Sequence, residues 1–128
     1  MSKKTPFTLE YEVRSSPTIL YEFISSSLGL QEWFAEKVTI KNNKYYFEWQ
    51  GSVEVAQLVS KEQDKFIRYR WEHSTDPEEY FEFKIETTEI SNQTILILTD
   101  FALPKELDEQ KMLWEHQLKE MLYRLGHS

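Results

Sequence analysis

The chain has 128 residues, of which 40% are hydrophobic and 29% charged, proportions that suit a single domain over residues 1–128 with a core of useful size. A formal charge of −7 opposes phosphate backbones and anionic bilayer surfaces, so nucleic acid is an unfavourable partner. The absence of cysteine excludes disulfides, thiolate catalysis, cysteine-ligated zinc and iron–sulfur clusters, and Gly29, Gly51 and Gly126 lie too far apart for a phosphate-cradling loop.

The N-terminal residues Met1, Ser2, Lys3 and Lys4 lead into no apolar run of signal-peptide length. Nowhere does an apolar stretch approach the roughly 20 residues that span a bilayer. The expectation is a cytoplasmic protein without membrane insertion. Aromatic residues make up 15% of the chain, enough apolar area to oppose disorder.

Phe7, Leu9, Tyr11 and Val13 alternate with polar residues, the period of a half-buried strand. Ser16 and Pro17 then supply an N-cap and a first helical proline, and Leu20, Phe23 and Ile24 with Ile19 recur at helical spacing, predicting a helix over 17–25. The serines at 25–27 interrupt it, and Leu28, Leu30, Trp33 and Phe34 make a second short helix. From Val38 the chain becomes a run of strands: Val38 and Ile40; Tyr45, Phe47 and Trp49; Val53, Val55 and onward to a turn over 61–64; Ile67, Tyr69 and Trp71; Phe81, Phe83 and Ile85. The last strand begins at Thr94 and is apolar on both faces over Ile95, Leu96, Ile97 and Leu98, a pattern of a central or doubly covered strand. The short connections imply an antiparallel meander. After Pro104, Leu107, Lys111, Trp114, Leu118, Met121, Leu122 and Leu125 fall at spacings of three and four, with Gly126 where a C-cap belongs, predicting one long amphipathic helix of roughly 30 Å.

This order, a strand, two short helices, about six antiparallel strands and a long C-terminal helix, resembles the α+β helix-grip architecture of the START-like superfamily over nearly the whole chain. Ser16-Pro17 at the first helix, Gly29-Leu30-Gln31-Glu32-Trp33-Phe34 in the second and Phe81-Glu82-Phe83 on a mid-sheet strand are similar to the branch of polyketide-cyclase-like proteins and homologues of the activator of the ninety-kilodalton heat-shock ATPase, and to small single-domain bacterial members. The resemblance implies a curved sheet of six or seven strands wrapped on the long helix, with a cavity between them that often accepts a lipid or another apolar ligand.

Catalytic and metal-binding signals are sparse. His73 precedes a turn, His116 lies on the helix and His127 in the tail; none belongs to an HExxH or HxH pattern, no GxSxG occurs, and serines sit where caps and turns use them. No catalytic residue, metal ligand or cofactor is assigned. The stretch from Asp76 to Glu89 carries six carboxylates against Lys84, which suits either a solvated hairpin face or a docking surface for a basic partner. Alternation with Val53 and Val55 places Glu54 on the wet face of its strand, while Asp100 is ambiguous between inside and outside. Arg68 and Arg70 alternate on one strand face, opposite the aromatics, as ordinary solvent-facing cations; this is not the interleaved surface on which bases stack.

The aromatic residues carry the most information. Within the helix-grip arrangement, Trp33, Trp49, Tyr69, Trp71, Phe83, Trp114, Leu118 and Met121 would line the space between sheet and helix, with Tyr69 offering a hydroxyl and Met112 or Met121 adapting to gaps. The same residues would equally make a filled core. The leading expectation is a module that binds a small apolar or amphipathic ligand. Its alternative is a protein-interaction or co-chaperone-like module, and an enzyme of polyketide-cyclase type ranks below both for want of an assignable acid or base.

Overall fold

The computed structural model describes residues 3–126, so His127 lies outside the described residues. The elements run β1 (Thr5–Val13), α1 (Pro17–Ser25), α2 (Ser27–Trp33), β2 (Lys37–Lys41), β3 (Lys44–Trp49), β4 (Ser52–Glu62), β5 (Phe66–Trp71), β6 (Phe81–Thr87), β7 (Thr94–Ala102) and, after a 3-10 turn over Pro104–Glu106, α3 (Leu107–Arg124). All seven strands form one antiparallel sheet in the order β1-β7-β6-β5-β4-β3-β2. The sheet curves around α3, and the two short helices follow the first strand, as in a helix-grip fold.

Local chemistry accounts for the breaks. The Ser16 hydroxyl accepts from Ile19 N–H at 3.2 Å to start α1, with Pro17 at the first helical position. Ser26 both closes α1, donating to the Glu22 carbonyl at 2.8 Å, and opens α2, accepting from Gly29 N–H at 2.9 Å. Asn42 and Asn43 take φ of 51° and 64°, which gives the two-residue hairpin between β2 and β3. Pro104 and Gly126, the latter at φ 97°, bracket the final helical region.

Register assigns the faces. Tyr45, Phe47, Ala56, Ile67, Tyr69, Phe81, Phe83, Leu96 and Leu98 point inward and are buried, meeting Leu20, Ile24, Leu30, Trp33 and Phe34 from the two short helices and Trp114, Leu118 and Met121 from α3. Three local expectations are revised, and one is met by its first alternative. Glu54 pairs with Phe47 and therefore sits on the inner side, at its exposed rim, while Val53 and Val55 take the outer side. β4 runs on to Glu62, with its register shifted between Leu58 and Ser60, so the turn centres on Asp64. β7 is a central strand, as its two apolar faces imply, and its outer isoleucines are half-buried beside charged neighbours: Ile97 lies between Glu10 and Lys84, and Ile95 between Glu12 and Glu86. Met112 is two residues from Trp114, hence on the opposite side of α3, and is exposed.

Candidate functional site

Aromatic rings fill most of the space between sheet and helix. Phe34 stacks on Trp114 at 5.7 Å and meets Phe47 at 5.0 Å and Trp49 at 5.3 Å. Phe83 contacts both Trp33 and Trp114 edge-on, at 5.7 and 5.8 Å. Phe81 stacks on Tyr69 at 5.0 Å and on Trp71 at 4.8 Å. Trp33, Tyr69, Phe83, Trp114, Leu118 and Met121 are buried, whereas Trp49 and Trp71 are half-buried at its margin. All eight residues named from the sequence thus come together in one cluster; Phe34 and Phe81, absent from that set, are equally central to it.

The polar tips of the rings have specific destinations. The Tyr45 and Tyr69 hydroxyls donate to the carbonyls of Ser25 and Ile24 at 2.7 and 2.6 Å. The Trp33 and Trp49 indoles donate to the carbonyls of Phe23 and Phe34 at 2.7 and 2.6 Å. These carbonyls lie at or near the C-terminal ends of α1 and α2, where helical backbone leaves acceptors unsatisfied, so the aromatics fasten both helices to the core. Burial pushes the Tyr69 phenol well above its ordinary range and that of Tyr45 up as well.

Trp114 differs: its indole donates to Asp100 Oδ2 at 2.7 Å. Asp100 follows the inward side of β7 past Leu98, and its Oδ1 also accepts the Phe101 N–H at 2.7 Å. Burial raises the Asp100 pKa, opposed by these two bonds and by nearby Lys4. Asp100 borders a cleft of about 130 Å³ with Trp71, His73, Glu79, Tyr80 and Lys4. A second hollow of about 210 Å³ shares Asp100, Trp71, His73 and Lys4 and extends to Glu106 and Gln110 ahead of and within α3. The cleft is therefore the rim of the sheet-to-helix space, where the ring cluster meets solvent.

Neighbouring groups shape this rim. Trp71 stacks on His73 at 5.8 Å with planes 10° apart, and His73 Nε2 lies 3.7 Å from Glu54 Oε2. Arg70 donates to the carbonyls of Pro77 and Glu79 at 2.6 and 3.2 Å, and Arg68 pairs with Glu82 at 2.8 Å while covering the Tyr80 ring at 3.8 Å. The two arginines, expected as plain surface cations, thus hold the 72–80 connection against the sheet. Within the acidic stretch Glu78, Glu79, Glu82 and Glu86 face Lys3, Lys4, Arg68 and Lys84 respectively. No group of three or more histidine or carboxylate side chains is placed to hold a metal ion among the described residues, and no helix there is long and apolar enough to cross a membrane.

Comparison with known proteins agrees with this architecture. The protein BfR322 from Bacteroides fragilis, solved in solution, is 32% identical, with a TM-score of 0.70 over 98% of this chain and 93% of that one. The Aha1 dimer from Colwellia psychrerythraea gives a TM-score of 0.78 at 17% identity, covering 94% of this chain and 96% of that one. Protein MLL2253 from Mesorhizobium loti gives 0.78 at 17% identity, covering 97% and 98%. No curated protein matches the chain. The model of the START-like superfamily domain matches residues 1–127, so the chain belongs to the START-like superfamily, whose fold supports a ligand-binding or interaction module in general.

Proposed function

We propose that this protein binds a small amphipathic ligand at the rim between its curved sheet and α3, with Trp71 and Asp100 as its first contacts. The observation that carries the reading is the position of Asp100: a carboxylate drawn down by Trp114 into the edge of an aromatic cluster, yet bordering an open cleft. Small-molecule sites combine this kind of concave apolar wall with a few polar groups that fix orientation.

The ligand's apolar part lies on Trp71 and toward Trp114, and its polar part meets Asp100. Trp33, Trp49, Tyr69, Phe83, Leu118 and Met121 form the packed wall behind. A cleft of about 130 Å³ admits a small group beside the rings. A longer apolar chain enters by parting α3 from the sheet, which exchanges ring contacts for ligand contacts at about 25 cal/mol per Å² of apolar surface removed from water.

Native mass spectrometry of protein purified from cells, and of that protein mixed with a panel of amphipathic fragments, tests the reading. The expected result is one-to-one adducts that weaken in Trp71→Ala and persist in the surface variant Lys84→Ala. Adducts equally strong in Trp71→Ala, or none at all, would overturn it.

A further inference from the structure

The cleft's own chemistry selects the charge of its ligand. Asp100, Glu79 and Glu106 border its two hollows, against Lys4 and His73 as the basic groups there. A carboxylate has about four acceptor positions, and the described contacts of Asp100 take up two of them, from Trp114 and Phe101. Trp71, whose ring stacks on both Phe81 and His73, borders the same space and gives it an apolar side. Carboxylates beside an apolar side suit an organic cation, which finds charge-assisted hydrogen bonds at one end and apolar contact at the other.

The molecule already places an ammonium there. Lys4 lies just before β1, borders both hollows and brings its Nζ to 3.8 Å from Glu79 Oε1, and its charge opposes the upward shift of Asp100. The Glu79 side chain is only 17% exposed, while that of Lys4 is 43% exposed, so the carboxylate is the fixed partner and the lysine the displaceable one. The chain's charge of −7 adds a field that draws cations toward it.

We infer that the cleft takes a protonated amine carried on an apolar body, and that Lys4 is an internal competitor occupying the position of that amine. This rests on the reading of the rim as a small-ligand site and narrows it to a ligand class. The ammonium sits between Asp100 and Glu79, the apolar body against Trp71. Binding displaces Lys4 into solvent without any covalent step.

Calorimetric titration with three probes of one shape tests this: phenethylammonium, 2-phenylethanol and phenylacetate, each repeated with the Trp71 and Trp114 indole N–H signals followed by NMR. Phenethylammonium is expected to bind about tenfold more tightly than the alcohol, the difference a charge-assisted bond makes, and the anion most weakly. Lys4→Ala, at an exposed position, should tighten the ammonium about threefold, the scale of an exposed ion pair, and leave the alcohol unchanged. Asp100→Asn and, because it leaves the Trp114 contact intact, Glu79→Gln should each remove the preference for the ammonium. If alcohol or anion binds at the cleft as tightly as the ammonium, the assignment to amines is wrong while the small-ligand reading stands. If no probe moves the Trp71 or Trp114 signals, both fail together.

Discussion

Trp114 and Asp100 join α3 to β7 through a 2.7 Å indole-to-carboxylate hydrogen bond, placed where the filled core becomes an open rim. The pair has a structural and a recognition side, and they separate by mutation. In Trp114→Phe the ring volume is largely kept but Asp100 loses a donor. Leaving a buried carboxylate short of a partner should cost about 1–3 kcal/mol of stability, read as a shift of the urea midpoint with unchanged slope.

The same carboxylate gives a pH signature. Its folded pKa lies above the ordinary value of 3.8, first because of burial. Between 3.8 and the higher folded value the native state holds more proton than the unfolded chain, so Asp100's contribution to stability is fully present below 3.8 and is lost as pH rises through the folded value. Comparing the wild type with Asp100→Asn from about pH 7 down to about pH 4, the stability difference should move in favour of the wild type as the solution becomes more acidic. A difference independent of pH would mean that Asp100 titrates as it does in the unfolded chain.

Gly29 is fixed by contact rather than by backbone angle. A Cβ there would lie 2.0 Å from the Glu22 carbonyl oxygen and 2.7 Å from Phe23 Cα, both rigid main-chain atoms of α1. Gly29→Ala should force α2 away from α1 and cost about 3 kcal/mol, the upper range of ordinary overpacking. Thermal unfolding of this variant should show the loss. The glycine thereby explains in physical terms one of the segments on which the family resemblance rested.

Tyr69→Phe removes the hydroxyl that satisfies the Ile24 carbonyl at the end of α1. The expected loss is about 1–2 kcal/mol, by the same reasoning as for any buried acceptor left without its donor. Urea denaturation measures it, and cleft binding should be retained, since the hydroxyl is directed at backbone rather than at the rim.

The elements were legible because their signals are local. Period-two alternation marked the strands, Ser16 with Pro17 started α1, the Asn42–Asn43 pair turned the first hairpin, and the spacing from Leu107 to Leu125 drew α3. Inner and outer faces were legible only where burial is deep. At the rim both faces of β4 touch water, so Val53 and Val55 gave a misleading polarity, and only the pairing of Glu54 with Phe47 fixes its side. Asp100 stayed ambiguous because its environment comes from β1, the 72–80 connection and α3, all distant in sequence. The eight residues expected to line the space do meet, but whether rings fill a space or surround one depends on how their volumes interlock, which spacing alone does not encode.

The four tryptophans provide the most direct measurement of the central claim. Trp33 and Trp49 donate to backbone carbonyls, Trp114 to Asp100, and Trp71 stands at the cleft, so the indole N–H region of an NMR spectrum holds four reporters of different places in the molecule. Titration with an amphipathic ligand identified by native mass spectrometry should move the Trp71 and Trp114 signals while those of Trp33 and Trp49 stay in place. Movement confined to Trp33 and Trp49, or none among the four, would contradict a ligand site at this rim.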